Sequence, residues 1–417
     1  MEPSQTVLPS AGAPARARRP GTFLLLASAV FVEAVGIGVL FPLLARIQAA
    51  HHLPTYSLGL MSSASFFASL LGQLGVARLL DGRRSRGVLL GALALAGVAP
   101  LWFALAGQLW SLTAARAVGG VAYGVVMPAA LRAGTAGIPA EARGSRLGLL
   151  SSAQMAGIVL GPLVGVALYA VGGLALPFEA VAAAQALILV ALLLSPGAGT
   201  VVPADPGDAG SAGASPSSRP RITAPAVVAV LLVAVAAQMP NGLYDALWSR
   251  LLTDRGASTL LIGLSLALFG IPFVILAPVG GRLANRRAPL PWAAGGLVVA
   301  AGFMASYGMV RMPVLIVVLG IFESCAQAIV VPGSYAATSM VFPDRLAATG
   351  QGWVSGAGTA AAGLAALLAA PAYAAVGPAP VFAGGALVSA GCAVVSVRMW
   401  RRGRDSGAGL KGSAAFP

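Results

Sequence analysis

The chain has 417 residues, of which 58% are hydrophobic and only 9% charged, with a mean hydropathy of +0.87; a water-facing globular surface cannot be built from that composition, so most of the chain must face lipid. The formal charge of +14 does not indicate nucleic acid, because the arginines stand in short clusters between long apolar runs rather than along one face. Cys325 and Cys392 both lie inside apolar runs and the adjacent His51 and His52 lack further ligands, so neither a disulfide framework, a metal nor any other cofactor is expected.

A helix crosses the hydrocarbon core with roughly 20 apolar residues and satisfies its own backbone. The N-terminal tail, residues 1–21, places Arg16, Arg18 and Arg19 ahead of the first apolar run, as signal peptides do. The run over 22–45 is longer than a signal segment and contains Glu33, so it is predicted to stay as the first helix. Further spans are predicted at 58–77, 88–105, 109–131, 147–170 and 174–194, completing a six-helix bundle over 22–194. Residues 195–222 are rich in Pro, Gly, Ser and Ala and read as a disordered linker. Six spans follow, at 224–247, 261–281, 291–309, 314–340, 352–376 and 381–399, making a second bundle over 223–399 and leaving a tail over 400–417.

Short loops rich in Lys and Arg stay cytoplasmic. The side that carries both termini and the linker also receives Arg78, Arg83, Arg84, Arg86, Arg132, Arg143, Arg146, Arg282, Arg286, Arg287 and Arg345, whereas the other receives only Arg46, Arg250, Arg255 and Arg311. Both termini are therefore expected in the cytoplasm. Lys411 is the only lysine, and arginine together with abundant Ala and Gly points to a GC-rich bacterial genome and hence to the bacterial inner membrane.

The halves repeat. Arg46 and Arg250, Asp81 and Asn285, Pro128 and Pro332, Pro139 and Pro343, Gly148 and Gly352, and Tyr169 and Tyr373 are all separated by 204 residues without a gap. The predicted fold is all-α: twelve transmembrane helices in two pseudo-symmetric six-helix bundles, related by an axis along the membrane normal, as in major facilitator transporters.

Several motifs carry a closer resemblance. In the fifth span Gly148, Gly157, Gly161, Pro162 and Gly165 follow the spacing G-x8-G-x3-G-P-x2-G, with Val166 at the place of a last Gly. In the fourth, Arg116, Gly120 and Gly124 follow R-x3-G-x3-G, and in the first Glu33 precedes Gly36, Gly38 and Pro42. The chain thus resembles the drug/proton antiporter branch of the major facilitator superfamily, in which the acidic position of the first helix is more often Asp. The resemblance implies proton coupling by Glu33 and Arg116. Glu33 lies eleven positions into its span, ~16 Å deep at 1.5 Å per residue, and is taken as the partner of Arg116. An intramembrane Arg calls for a cavity or an acidic partner, unless it snorkels to the nearby helix end; for Glu33 the plain alternative is a protonated carboxyl bonded within the bundle.

Glu323, Asp245, Gln238 and Tyr123 are further candidates for the substrate cavity. Glu323 stands where the repeat has Gly119, a departure from symmetry that suits substrate or proton binding, while Asp245 is near enough to Arg250 to be an ordinary helix-end charge. The loop after the second span, with Asp81, Arg83 and Arg84, and its repeat copy, with Gly281, Asn285 and Arg286, resemble the superfamily's gating signature; the alternative is a plain positive-inside cluster. The resemblance implies proton-coupled efflux of a small organic compound, with protons and the lipid bilayer as its other partners, no nucleic acid, and a functional monomer. No G-x4-G-K-[ST] loop for ATP is present, and clustered catalytic residues are missing, so an enzyme is not expected. A sugar or metabolite permease of the same superfamily is the alternative within transport, and a non-transporting sensor or assembly protein the alternative outside it.

Overall fold

A computed structural model describes residues 20–79, 85–136, 140–195, 223–286, 289–342 and 346–412. Among the described residues there are twelve helices long and apolar enough to span a membrane: α1 (Pro20–Ala50), α2 (Tyr56–Leu79), α3 (Ser85–Leu105), α4 (Leu109–Thr135), α5 (Ala140–Gly172), α6 (Leu176–Leu194), α7 (Ala224–Asp254), α8 (Thr259–Arg286), α9 (Pro289–Tyr307), α10 (Pro313–Val341), α11 (Ala347–Val376) and α12 (Pro378–Gly412). Proline opens α9, α10 and α12, where its missing N–H costs nothing, and Gly377 ends α11 in the left-handed region at φ 80°, its N–H bonding the Tyr373 carbonyl at 3.0 Å.

The helices overrun the predicted spans. α1 and α7 continue past their apolar runs to Ala50 and Asp254, so Arg46 and Arg250 are helical rather than in loops. Apolarity marks the stretch that lies in hydrocarbon, whereas the helix goes on wherever its polar end finds partners, as both arginines do below.

The face on which α1 begins and α12 ends is called here the terminal face. Packing repeats with a shift of six helices: α1 lies on α5 and α6, α2 on α4 and α3 on α4 and α6, and correspondingly α7 on α11 and α12, α8 on α10 and α9 on α10 and α12. The halves meet chiefly through α2 with α11 and α5 with α8.

The cores are distributed unevenly. Toward the opposite face a single apolar core runs through both halves, joining Val39, Leu43, Ile47 and Leu58 to Leu243, Leu247, Leu251 and Phe382. Toward the terminal face there are two cores, one per half, built around Leu26, Leu93 and Val126 and around Val230, Leu297 and Trp400. The bundles therefore merge at one face and part at the other, and the space between them is the site.

Candidate functional site

Between the halves lies a cavity of about 680 Å³. Its lining reaches Gln73, Thr338 and Gln351 near the terminal ends of α2, α10 and α11, and on α7 and α8 goes no further toward the opposite face than Trp248 and Ser265. Glu33, Arg116, Tyr123, Gln238, Asp245 and Glu323, all singled out from sequence, line it together.

The expected pairing of Arg116 with Glu33 is corrected by the structure: Arg116 Nη2 donates to Asp245 Oδ2 at 3.0 Å, across the two halves. Depth is the reason. Arg116 is seven residues from the start of α4, ~10 Å from its opposite-face end, whereas Glu33 is seventeen residues from the end of α1, ~25 Å away. Asp245, nine residues from the end of α7, lies at the arginine's level. It is also not a solvated helix-end charge. The pair is enclosed, with side chains 12% and 6% exposed, and Arg250 instead binds Asp254 and Gln48. Such a pair survives in a low-dielectric setting because each charge compensates the other.

Glu33 is buried at the cavity wall, and its Oε2 has no hydrogen-bond partner among the described residues. Tyr123, about two turns further along α4 than Arg116, is within electrostatic range of it, as of Tyr335. Glu323 is treated differently. The Tyr244 hydroxyl lies 2.9 Å from Oε1 and 3.1 Å from Oε2, and the Tyr307 hydroxyl donates to Oε2 at 2.5 Å. Neither tyrosine stood out in the sequence. The signal was present, since a tyrosine in an apolar run needs a partner for its hydroxyl, but only the fold shows that two of them share one carboxylate. On the same wall Trp248 Nε1 donates to Ser265 at 2.9 Å and Asn241 donates to Gln238.

The glycines of the fifth span form a close contact. A Cβ at Gly161 would sit 2.8 Å from the Gly38 Cα, and one at Gly165 2.8 Å from the Val39 carbonyl. Gly157 faces the backbone of Phe31 and the Ala34 side chain. These three let α5 press against α1 on either side of Glu33 and Gly38. The Ile158 carbonyl, deprived of its helical donor by Pro162, faces Gly38 as well, where a Cβ would sit 3.1 Å from it. Gly148 takes no part: nothing lies within 4 Å of a Cβ placed there. Gly120 and Gly124 play the equivalent packing role against the backbone of Ser65 and Ser69 in α2. Offset by 204 from Gly38, Gly242 meets the backbone of Ala362, so the second half uses the same contact without the motif.

Asp81, Arg83 and Arg84 lie outside the described residues, as do the side chains of Gly281, Asn285 and Arg286 in the last turns of α8.

The opposite face is tied shut by residues of both halves. Ala45 N–H donates to Ser249 Oγ at 3.3 Å, and this hydroxyl donates to the Pro42 carbonyl at 3.2 Å. Arg46 reaches Thr259 of the second half at 3.2 Å, and its repeat counterpart Arg250 reaches back to Gln48 of the first at 3.1 Å. Toward the terminal face, Ser355 to Gln73 at 3.2 Å also joins the halves.

The family model described as the Major Facilitator Superfamily matches residues 26–244 and, again, 230–415. The chain belongs to the major facilitator superfamily. No curated protein matches its sequence. Among solved structures, a bacterial homologue of the human lysosomal transporter Spinster, inward-facing and occupied, is similar with a TM-score of 0.71 at 16% identity, over 91% of this chain and 95% of its own. The same protein inward-facing and unoccupied gives 0.70 at 15%, over 96% and 100%. A variant of the nucleoside transporter NupG gives 0.72 at 13%, over 91% and 100%. At such identities the likeness is one of fold; the family match makes the chain a major facilitator transporter, and its two halves enclose a central cavity.

Proposed function

We propose that this transporter exports a small organic compound, drug-like or a secondary metabolite, across the bacterial inner membrane in exchange for protons. The observation that carries the reading is the buried Glu33 oxygen at the cavity wall without a partner, while the arginine at hand is held by Asp245. A carboxylate so placed is costly unless it binds a proton or a cationic ligand, which makes it a site for which the two compete. The glycines of the antiporter spacing support this, since three of them set the helix that bears Glu33.

With the arginine-rich face in the cytoplasm, both termini lie there and the cavity opens inward. Substrate enters from the cytoplasm, the ties around Ala45, Arg46, Ser249 and Arg250 break, and the halves rock to open outward. A proton from outside then takes Glu33 and helps discharge the substrate. The gating residues Asp81, Arg83 and Arg84 of the first half and Gly281, Asn285 and Arg286, in the last turns of α8, would close the inner face.

A second reading has its own support. Gln73, Gln238, Asn241, Gln327 and Gln351 all line the cavity, and such an amide-rich wall suits a polar metabolite, as in a permease. Purified protein in proteoliposomes separates the two. Acid-inside vesicles that accumulate tetraphenylphosphonium, an organic cation, support export by antiport; accumulation of a nucleoside or sugar driven by an acid exterior supports the permease and rejects antiport.

A further inference from the structure

We propose that Glu323 is a second proton site, and that loading it turns the Tyr244 hydroxyl into the cavity as a donor to an acceptor oxygen of the substrate. This deepens the antiport reading and rests on it for its role in transport, not for the chemistry of the site.

The geometry leaves Glu323 no cation. Of the elements packed on α10, α8 carries only Arg282 and Arg286 as titratable residues, in its last turns, and α9 only Tyr307. The titratable residue of α11, Tyr373, donates to Asp254 near the opposite face. α7 brings Tyr244 and Asp245 to this level, and Asp245 already neutralises Arg116 from across the cavity. Arg250 and Asp254, the other charged residues of α7, pair with each other. Glu323 itself, 1% exposed, is thus surrounded by neutral donors: Tyr244, Tyr307 and Gln327 one turn along its own helix.

The two phenols do not have equal freedom. Tyr307 is wholly buried and bonds one oxygen, Oε2. Tyr244 lines the cavity and its single hydroxyl proton straddles both oxygens. Oε1, the oxygen nearer to the Tyr244 hydroxyl and without a bond from Tyr307, is the one that takes the proton, and its new O–H faces the Tyr244 oxygen. When a hydronium in the cavity gives its proton to Oε1, one of its O–H bonds breaks and water is left; the new acid O–H donates to the Tyr244 oxygen, and with Oε2 already held by Tyr307 the phenol's own proton turns to the cavity. The phenol O–H bond stays intact throughout: Tyr244 exchanges its hydrogen bond to the carboxyl for one to an acceptor in the cavity, and no proton is transferred from it. Tyr307 keeps its bond to Oε2 and is a positioning residue. Since Tyr244 packs on Trp248 with ring centroids 5.5 Å apart and precedes Asp245 in α7, its turning is delivered to the surface where the halves are joined by the Arg116 pair.

The test needs no substrate. Purified full-length protein carrying Glu33→Gln, to silence the other acid, is followed by infrared difference spectroscopy as the pH is stepped down. The expected result is a carboxylic acid C=O band that grows together with a change in a tyrosine ring band. Adding Glu323→Gln, which preserves shape and can still accept from both phenols, removes both signals. Adding Tyr244→Phe instead keeps the carboxyl band and removes the tyrosine change, and Tyr307→Phe displaces the midpoint of the titration while keeping both. Persistence of the carboxyl band in the Glu323→Gln protein, or of the tyrosine change without Tyr244, overturns the proposal. If the bands behave as expected while vesicles ignore a pH gradient, the antiport reading fails and the proton site stands.

Discussion

The first half buries its acid at the cavity wall with Oε2 of Glu33 unpartnered among the described residues, whereas the second half surrounds Glu323 with the hydroxyls of Tyr244 and Tyr307. The third acid, Asp245, is spent on Arg116. One cavity thus holds three carboxylates in three states of compensation, and the difference assigns labour: an oxygen without a donor is open to a proton or a ligand, one held by neutral phenols can change only if a phenol moves, and one held by guanidinium is fixed until the halves part. The repeat does not impose this. Glu33, Asp245 and Glu323 stand opposite Ala237, Phe41 and Gly119 in the other half, so the chemistry was added to a symmetric frame.

The comparison can be broken most sharply at Glu33. Glu33→Gln should reduce pH-driven transport to background while leaving exchange at equal pH intact, measured in proteoliposomes; Glu323→Gln should weaken the drive without abolishing it. The next largest effect is on stability. Arg116→Ala strands the Asp245 carboxylate in a buried site, so a loss of about 3–5 kcal/mol is expected in equilibrium unfolding from mixed micelles, and the double variant Arg116→Met/Asp245→Leu should recover most of it. Gly161→Val drives a side chain into the Gly38 backbone and should cost ~1–3 kcal/mol, whereas Gly148→Val, facing open space, should stay within about 0.5 kcal/mol. A modest effect is expected from Ser249→Ala, which removes a hydroxyl bridging the halves for about 1 kcal/mol; spin labels on the opposite face should report a larger open population.

How much of this was legible in the sequence varies with the physics involved. Apolar run length and arginine bias are local signals, so the twelve spans were readable, although not how far α1 and α7 continue past their hydrocarbon stretch. The repeat was readable because Arg46 and Arg250 keep their spacing, and the structure gives both the same task of reaching across to the other half. The glycine series was readable as a spacing, but that Gly148 touches nothing required the neighbouring helix. The partner of Arg116 is not legible within its own half, because the pair is made between the halves at a common depth. For the phenols on Glu323 the sequence carries only the need of a buried tyrosine for a partner, since Tyr244, Tyr307 and Glu323 come from three helices and only the packing of α7, α9 and α10 brings them together.

The central claim, that Glu33 is the acid left free because Arg116 belongs to Asp245, meets its most direct test in a pH jump on vesicles holding wild-type or Glu33→Gln protein. With an acid interior and tetraphenylphosphonium outside, the account expects accumulation by the wild type, none by Glu33→Gln, and equal exchange by both once the gradient is dissipated. Gradient-driven accumulation by Glu33→Gln at the wild-type rate would contradict it.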